Sequence, residues 1–259
     1  MKKIILFFTL ILGNLVFASE KPLIVGMELA YPPFEMSDES GKPTGISVDM
    51  AYALGEYLGR DVIIEDMAYG GLIPALKTKK VDIIISSMSV TDERKKSVNF
   101  SIPYAKSYLA MLVNNKSGIT TAKDLNQKGR RVAVKKGTSG HTVAEKYFPN
   151  AEIMVFDKES ACILEVSQGK VDAFIYDPLT IYRNWTRNSE TTTPLLAQFE
   201  TESQPWAIAY GKGEEKLGAQ IDEFIVEYKE KGGFNNLADK YLGKERAFFQ
   251  EKNVPFFFD

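Results

Sequence analysis

Val81-Asp82-Ile83-Ile84-Ile85-Ser86-Ser87-Met88-Ser89-Val90-Thr91-Asp92-Glu93-Arg94 is the stretch whose reading decides the fold. Its first part, Val81 to Ser86, is a nearly continuous apolar run, the pattern of a strand buried on both faces of a helix-covered sheet. Its second part is a hydroxyl-rich segment that closes on a guanidinium. Arginine beside several hydroxyls, just past the end of a buried strand, makes a good receptor for the planar carboxylate of a small molecule.

The pattern repeats on either side of this stretch. Upstream, Leu23 to Met27 reads as a strand, Ser47 to Leu58 as a helix with Val48, Ala51, Leu54 and Leu58 on one face, Val62 to Asp66 as a strand and Leu72 to Lys77 as a short helix. A second cycle follows: strand Arg131 to Val134, helix Thr142 to Tyr147, strand Glu152 to Phe156, helix Ser160 to Gln168 and strand Ala173 to Tyr176. Strands alternating with helices imply parallel sheets covered on both faces. The strand-like pieces Tyr108 to Val113 and Ala207 to Tyr210 flank the second cycle and are expected to connect two lobes. The amphipathic stretches Leu217 to Tyr228 and Phe234 to Tyr241 then return to the first lobe. The predicted architecture is α/β, two Rossmann-like lobes joined by a two-stranded hinge. Residues 19–105 with 205–259 form the large lobe and residues 106–204 an inserted small one. Ligands of open α/β sheets bind at the carboxyl ends of the strands, and here both sets of ends would face one cleft.

The N-terminus sets the compartment. Lys2 and Lys3 precede an apolar run from Ile4 to Val16, and Val16-Phe17-Ala18 suits signal-peptide cleavage after Ala18. The run is short for a membrane span and contains Gly13 and Asn14. Export to a periplasm is therefore expected, leaving roughly 240 residues, enough for one large or two small cores. The formal charge is −2 and becomes −4 without Lys2 and Lys3, which gives no footprint for nucleic acid or anionic lipid. The single cysteine, Cys162, has no internal disulfide partner and reads as a small buried apolar residue. With a single histidine, His141, there is no metal cluster and no nucleophilic triad to propose.

Several motifs in order then resemble one family, the periplasmic polar-amino-acid-binding proteins of ABC importers. They are Gly26 with Tyr31-Pro32-Pro33-Phe34-Glu35, Gly45-Ile46-Ser47-Val48-Asp49-Met50, Leu72-Ile73-Pro74-Ala75-Leu76, Ser87-Met88-Ser89-Val90-Thr91-Asp92-Glu93-Arg94, Phe100-Ser101-Ile102-Pro103-Tyr104, Gly137-Thr138-Ser139-Gly140 and Gly169-Lys170-Val171-Asp172-Ala173. Asp92-Glu93-Arg94-Lys95-Lys96 and Val132-Ala133-Val134-Lys135 are closest in look to glutamine-binding members. The resemblance implies a type II periplasmic binding protein that closes around a free amino acid, works with an inner-membrane permease and a cytoplasmic ATPase, and needs no cofactor; a monomer is expected. By the same resemblance Arg94 grips the ligand α-carboxylate, with Ser87, Met88 and Ser89 beside it on the first lobe. Thr138 and Ser139, at a glycine turn opening a helix, supply the second-lobe contact to that carboxylate. Asp177 receives the α-ammonium, while Tyr31 and Tyr69 sandwich the ligand side chain.

Glu28 and Lys135 decide which amino acid fits, and sequence leaves the choice open. If they neutralise each other across the cleft, the pocket suits a polar uncharged ligand such as glutamine. A free Glu28 would favour arginine or lysine, and a free Lys135 glutamate or aspartate. Two departures from the family pattern stand out: Trp206 and Ala207 at the second crossing, and an aromatic tail from Phe248 through Phe256-Phe257-Phe258, expected to fold back on the protein. Another class on the same fold is the exported cyclohexadienyl dehydratase, in which Glu28 and Lys135 would serve acid chemistry. A receptor-like sensor domain is the third class; such domains continue into a membrane span or signalling module, and the chain is expected to end at Asp259.

Overall fold

A computed structural model describes residues 21–196, 199, 204–251 and 256–258. The expected leader, residues 1–18, lies outside the described residues. In chain order the first lobe contains β1 (Leu23–Met27), β2 (Ala30–Tyr31), β3 (Glu35–Ser37), β4 (Pro43–Thr44), α1 (Ile46–Leu58), β5 (Val62–Asp66), α2 (Leu72–Lys77), β6 (Ile83–Ile84), α3 (Asp92–Ser97) and β7 (Asn99–Phe100). After β8 (Ala105–Ser107) the second lobe follows with β9 (Ala110–Asn114), β10 (Arg131–Lys135), α4 (Ser139–Tyr147), β11 (Glu152–Phe156), α5 (Glu159–Ser167), β12 (Ala173–Tyr176), α6 (Pro178–Arg187) and β13 (Thr192–Leu195). The chain returns through β14 (Gln204–Trp206) and ends the first lobe with β15 (Ala209–Tyr210), α7 (Glu215–Glu230) and α8 (Gly233–Glu251).

Each lobe is built on a five-stranded sheet, ordered β5-β1-β6-β15-β7 in the first and β11-β10-β12-β9-β13 in the second. The period-two alternation of strand side chains divides each core into two layers. Leu23, Val25 and Ile83 pack with α1 and α7 residues on one face, and Ile84 packs with Leu72 and Leu76 on the other. In the second lobe Val132 and Val134 face one cluster while Ala133 faces the opposite one. Cys162 is a fully buried free thiol in that last cluster, as its helix-like context suggested.

The sheets are not wholly parallel, which corrects the expectation from the strand-helix alternation. Only β5-β1-β6 and β11-β10-β12 are parallel; β15 runs antiparallel to β6 and β7, and β9 antiparallel to β12 and β13. The reason lies in connectivity. β9 and β15 reach their sheets straight from the interlobe crossings rather than through a helical crossover, so nothing forces them parallel. The crossings themselves lie one step outside the expected strands: Ala110–Asn114 and Ala209–Tyr210 belong to the lobe sheets, and the hinge ribbon is β8 paired with β14, Ala105 opposite Trp206 and Ser107 opposite Gln204. Pro205 in so short a piece masks the strand signal, because proline cannot donate to a ladder and is confined to edges.

The aromatic tail folds back onto this hinge. Phe256 and Phe257 are buried, Phe257 lies 5.2 Å from the Trp206 ring and 5.0 Å from Phe34, and its carbonyl accepts a hydrogen bond from Lys106 N at 2.7 Å. Among the described residues no helix is long and apolar enough to cross a membrane.

Candidate functional site

Strand ends place the side chains. Glu28 directly follows β1, Ser86 and Ser87 follow β6, Lys135 is the last residue of β10, and Asp177 directly follows β12. These are the carboxyl ends of the parallel strands of both sheets, and the lobes bring them together around one interlobe cavity. Its walls carry Glu28, Tyr31, Tyr69, Ser87, Ser89, Thr138, Ser139 and Asp177 from the expected set. They also carry Glu35, Ser86, Ser107, Tyr108, Leu109, Tyr176 and Trp206, which sequence reading did not single out as site residues.

The lobes meet through charge. Lys135 of the second lobe is 2% exposed and forms an ion pair with Glu28 of the first. Glu28 is itself buried, and its other carboxylate oxygen accepts a hydrogen bond from Tyr69 N at 3.3 Å. A pair removed from water in this way is favourable only while both partners are present.

Asp177 is both a cap and an acceptor. It is the N-cap of α6, with Oδ1 accepting from the amides of Leu179 and Thr180, each at 3.0 Å. Its Oδ2 is buried and has no hydrogen-bond partner, and burial raises the carboxyl above its usual range. Such an oxygen is a vacancy in the hydrogen-bond accounting that a cationic donor satisfies. Asp177-Pro178, a capping residue followed by proline at the first helical position, is also a legible helix start, although no helix was expected there.

Opposite, α4 begins at Ser139, three residues before the expected Thr142, with Thr138 as N-cap. The Thr138 hydroxyl donates to the Lys135 carbonyl at 2.8 Å and accepts from His141 N at 3.4 Å. Gly137 adopts φ +76°, where a Cβ is strained, and Gly140 lets the helix lie against β12: a Cβ there would sit 2.6 Å from the Ile175 carbonyl. The positive end of a helix of about two and a half turns thereby reaches the cavity.

Arg94 stands at the edge of the cavity rather than in its wall. Nη1 donates to the Ser89 carbonyl at 2.6 Å and Nη2 to the Gly137 carbonyl of the other lobe at 2.9 Å, with the guanidinium carbon 5.7 Å from the Tyr69 ring centre. Together with Tyr69, Gly70 and Ser139 it lines an adjoining recess. The Met88 side chain is 1% exposed and belongs to the apolar cluster of Leu72, Leu76, Val81 and Ile84, so it packs the first lobe beneath the site and lines the adjoining recess.

The aromatic positions are divided. Tyr31 is buried, stacked on Phe34 at 5.2 Å and edge-on to Tyr176 of the second lobe at 5.8 Å, while Tyr69 lies beneath the two cations, Lys135 Nζ being 5.8 Å from its ring centre. Glu35 is the polar residue sequence reasoning missed. It is 1% exposed and accepts from Ser47 Oγ at 2.6 Å, Ser87 Oγ at 3.1 Å and Ser86 Oγ at 3.3 Å. Burial pushes its pKa up to about 8 against the lowering effect of those hydroxyls. The signal was available: a carboxylate inside the apolar run Pro32-Pro33-Phe34-Glu35-Met36 needs buried partners. Ser87, which it holds, has φ +48°, a strained setting for a non-glycine residue next to a binding cavity.

Comparisons with known proteins agree with this architecture. The profile of the bacterial extracellular solute-binding proteins, family 3, matches residues 23–244. The chain is 29% identical over 225 residues to the L-cystine-binding protein TcyJ of Escherichia coli, covering 86% of this chain and 83% of that protein. It is 28% identical over 252 residues to the L-arginine-binding protein of Pseudomonas aeruginosa, covering 93% and 97%. Among solved structures, an ancestral arginine-binding protein bound to glutamine superposes with a TM-score of 0.77 at 32% identity, over 86% of this chain and 98% of that one.

Proposed function

This chain belongs to the bacterial extracellular solute-binding proteins, family 3, and from that premise we propose that it is the periplasmic, signal-peptide-exported component of an amino-acid ABC importer, with glutamine as its ligand. The observation that carries the ligand is the Glu28–Lys135 ion pair across the cleft. With both charges consumed, the end of the pocket offers polarity without net charge, which suits a carboxamide better than a guanidinium or a carboxylate.

In this reading the α-ammonium is taken by the unpartnered Oδ2 of Asp177. The α-carboxylate is taken by Ser87, Ser89, the α4 terminus and Arg94, where it competes with the Gly137 carbonyl for a guanidinium N–H. Tyr31 and Tyr69 flank the side chain. Docking on the first lobe and closure of the second are coupled because the ligand adds contacts only when both lobes are in place. Uptake across the membrane is the work of a permease and its ATPase.

A second reading, a cationic ligand such as arginine, is favoured by the acidic side chains of the cleft, which outnumber Lys135, the one buried lysine among the described residues. Besides Glu28 and Asp177, Glu159 at the start of α5 has a buried, unpartnered Oε2, and burial raises its pKa to about 7. A dehydratase would instead consume prephenate, and the relatives named above are binding proteins.

The test is a thermal-shift screen of refolded, ligand-stripped protein against the twenty amino acids, ornithine, citrulline, cystine and prephenate, since a ligand of the native state raises the melting temperature. The largest shift is expected with glutamine. A larger shift with arginine, histidine or cystine overturns the glutamine assignment, and no shift with any amino acid overturns the amino-acid reading.

A further inference from the structure

Among the described residues two ion pairs join the lobes. One is Glu28–Lys135 in the cleft; the other, Arg183–Glu245, is formed by residues outside the cavity wall. Arg183 lies on α6 and donates from Nε to Glu245 Oε1 at 3.1 Å, with Nη2 on the same oxygen, while Nη1 donates to the Pro32 carbonyl at 2.9 Å. Glu245 lies on α8 of the first lobe, just beyond the residues that the family profile matches. Pro32 is next to Tyr31, which lines the cavity.

We propose that Arg183, Glu245 and the Pro32 carbonyl form a clasp that holds the second lobe closed, so that these residues set ligand affinity without touching the ligand. The proposal rests on the two-lobe binding reading above. Its mechanical basis is α6, one rigid helix that does two things at once. Its N-cap is Asp177, and its buried face continues four residues apart through Leu179, which packs into the first lobe's core cluster, to Arg183. Six residues at about 1.5 Å each put Arg183 roughly 9 Å along the axis from Asp177. Movement that brings Asp177 to the cavity therefore brings Arg183 to Glu245 and Pro32, and the same movement undone breaks both.

The pair is shielded enough to matter. The side chains of Arg183 and Glu245 retain 25% and 17% exposure, and Arg183 uses three of its donors on the first lobe. A charge-assisted fork of this kind is stronger than an exposed surface pair. The segment that carries Glu245 continues into the tail whose Phe257 covers the hinge residues Lys106 and Trp206, so the same C-terminal stretch grips the hinge and the moving lobe.

The experiment is a double-mutant cycle in the exported chain, with R183A, E245A and R183A/E245A titrated calorimetrically with the amino acid that gives the largest thermal shift. Each single variant is expected to bind roughly tenfold more weakly, through faster dissociation, and the double no more weakly than the worse single. Single variants that bind like the parent, or losses that add, overturn the clasp. R183E/E245R, which restores the pair with its sign reversed, is expected to regain affinity over R183E. If no amino acid binds, the amino-acid reading fails, and the clasp is decided by interlobe energy transfer with one dye on each lobe of the ligand-free chain. A wider distance distribution in R183A than in the parent then supports it, and identical distributions overturn it.

Discussion

Replacing Lys135 by methionine removes one cation while keeping most of the side-chain length, and the structure gives the size of the effect. The Lys135 side chain is 2% exposed and that of Glu28 12%, so Glu28 is left as a buried, unpaired carboxylate in the closed form. Breaking a fully buried pair costs about 3–5 kcal/mol; the residual exposure of Glu28 admits water, and about 2–3 kcal/mol is the reasonable share here. Because the partners belong to different lobes, this cost falls on closure and hence on affinity, while each lobe keeps its own core. Glutamine binding is expected to weaken roughly 30- to 150-fold, at 1.4 kcal/mol per decade. Arginine is expected to lose less or to gain, since its guanidinium can take the place of the missing ammonium beside Glu28, so the arginine-to-glutamine affinity ratio rises at least about tenfold. Isothermal titration of the parent and K135M with both amino acids, with thermal unfolding of the ligand-free proteins as a control, measures all of this. Glutamine affinity within twofold of the parent, or an unchanged ratio, refutes the view that the pair neutralises the pocket.

Three further outcomes are expected. Arg94→Ala removes the cleft-edge guanidinium from two carbonyl contacts at the surface and should weaken any amino acid by roughly 100-fold or more while leaving the circular dichroism spectrum intact, with parental affinity as the refuting result. Asp177→Asn keeps an N-capping oxygen for α6 but removes the charge, so affinity should fall roughly 30-fold or more with a small change in melting temperature, whereas Asp177→Ala should also lose about 1 kcal/mol of helix capping; equal stability losses in both would show that the residue serves the fold alone. Glu35 binds its proton up to about pH 8 when folded and only near 4.5 in the unfolded chain, so the folded state holds the extra proton between those values and stability, full below about 4.5, declines as pH rises to about 8. The decline is on the order of a few kcal/mol, and Glu35→Gln should flatten it in thermal unfolding between pH 5 and 9; parallel profiles would refute the assignment.

The alternation of strands and helices and the hydrophobic faces were legible because they are local: Val81 to Ile85 needs two covered faces wherever it goes, and Leu54 and Leu58 repeat at helical spacing without reference to the rest of the chain. α3 and α6 were missed although Thr91 and Asp177 are ordinary capping residues, because both helices follow cleft segments whose composition reads as loop. The end of α8 at Glu251 was missed for the opposite reason, since its last turns are held by tail and lobe contacts rather than by a clean periodicity.

The sequence by itself determined the α/β class and the inserted lobe, because these follow from periodicity and strand ends, while the residues expected to bind a zwitterion came from the family resemblance of its motifs. Whether Glu28 and Lys135 cancel, which oxygen of Asp177 stays open, that Met88 packs and that Arg183 reaches Glu245 depended on tertiary structure. Each is a matter of distance between groups far apart in the chain: residues 28 and 135, or 183 and 245, acquire their electrostatic meaning only when the two lobes come within hydrogen-bond reach.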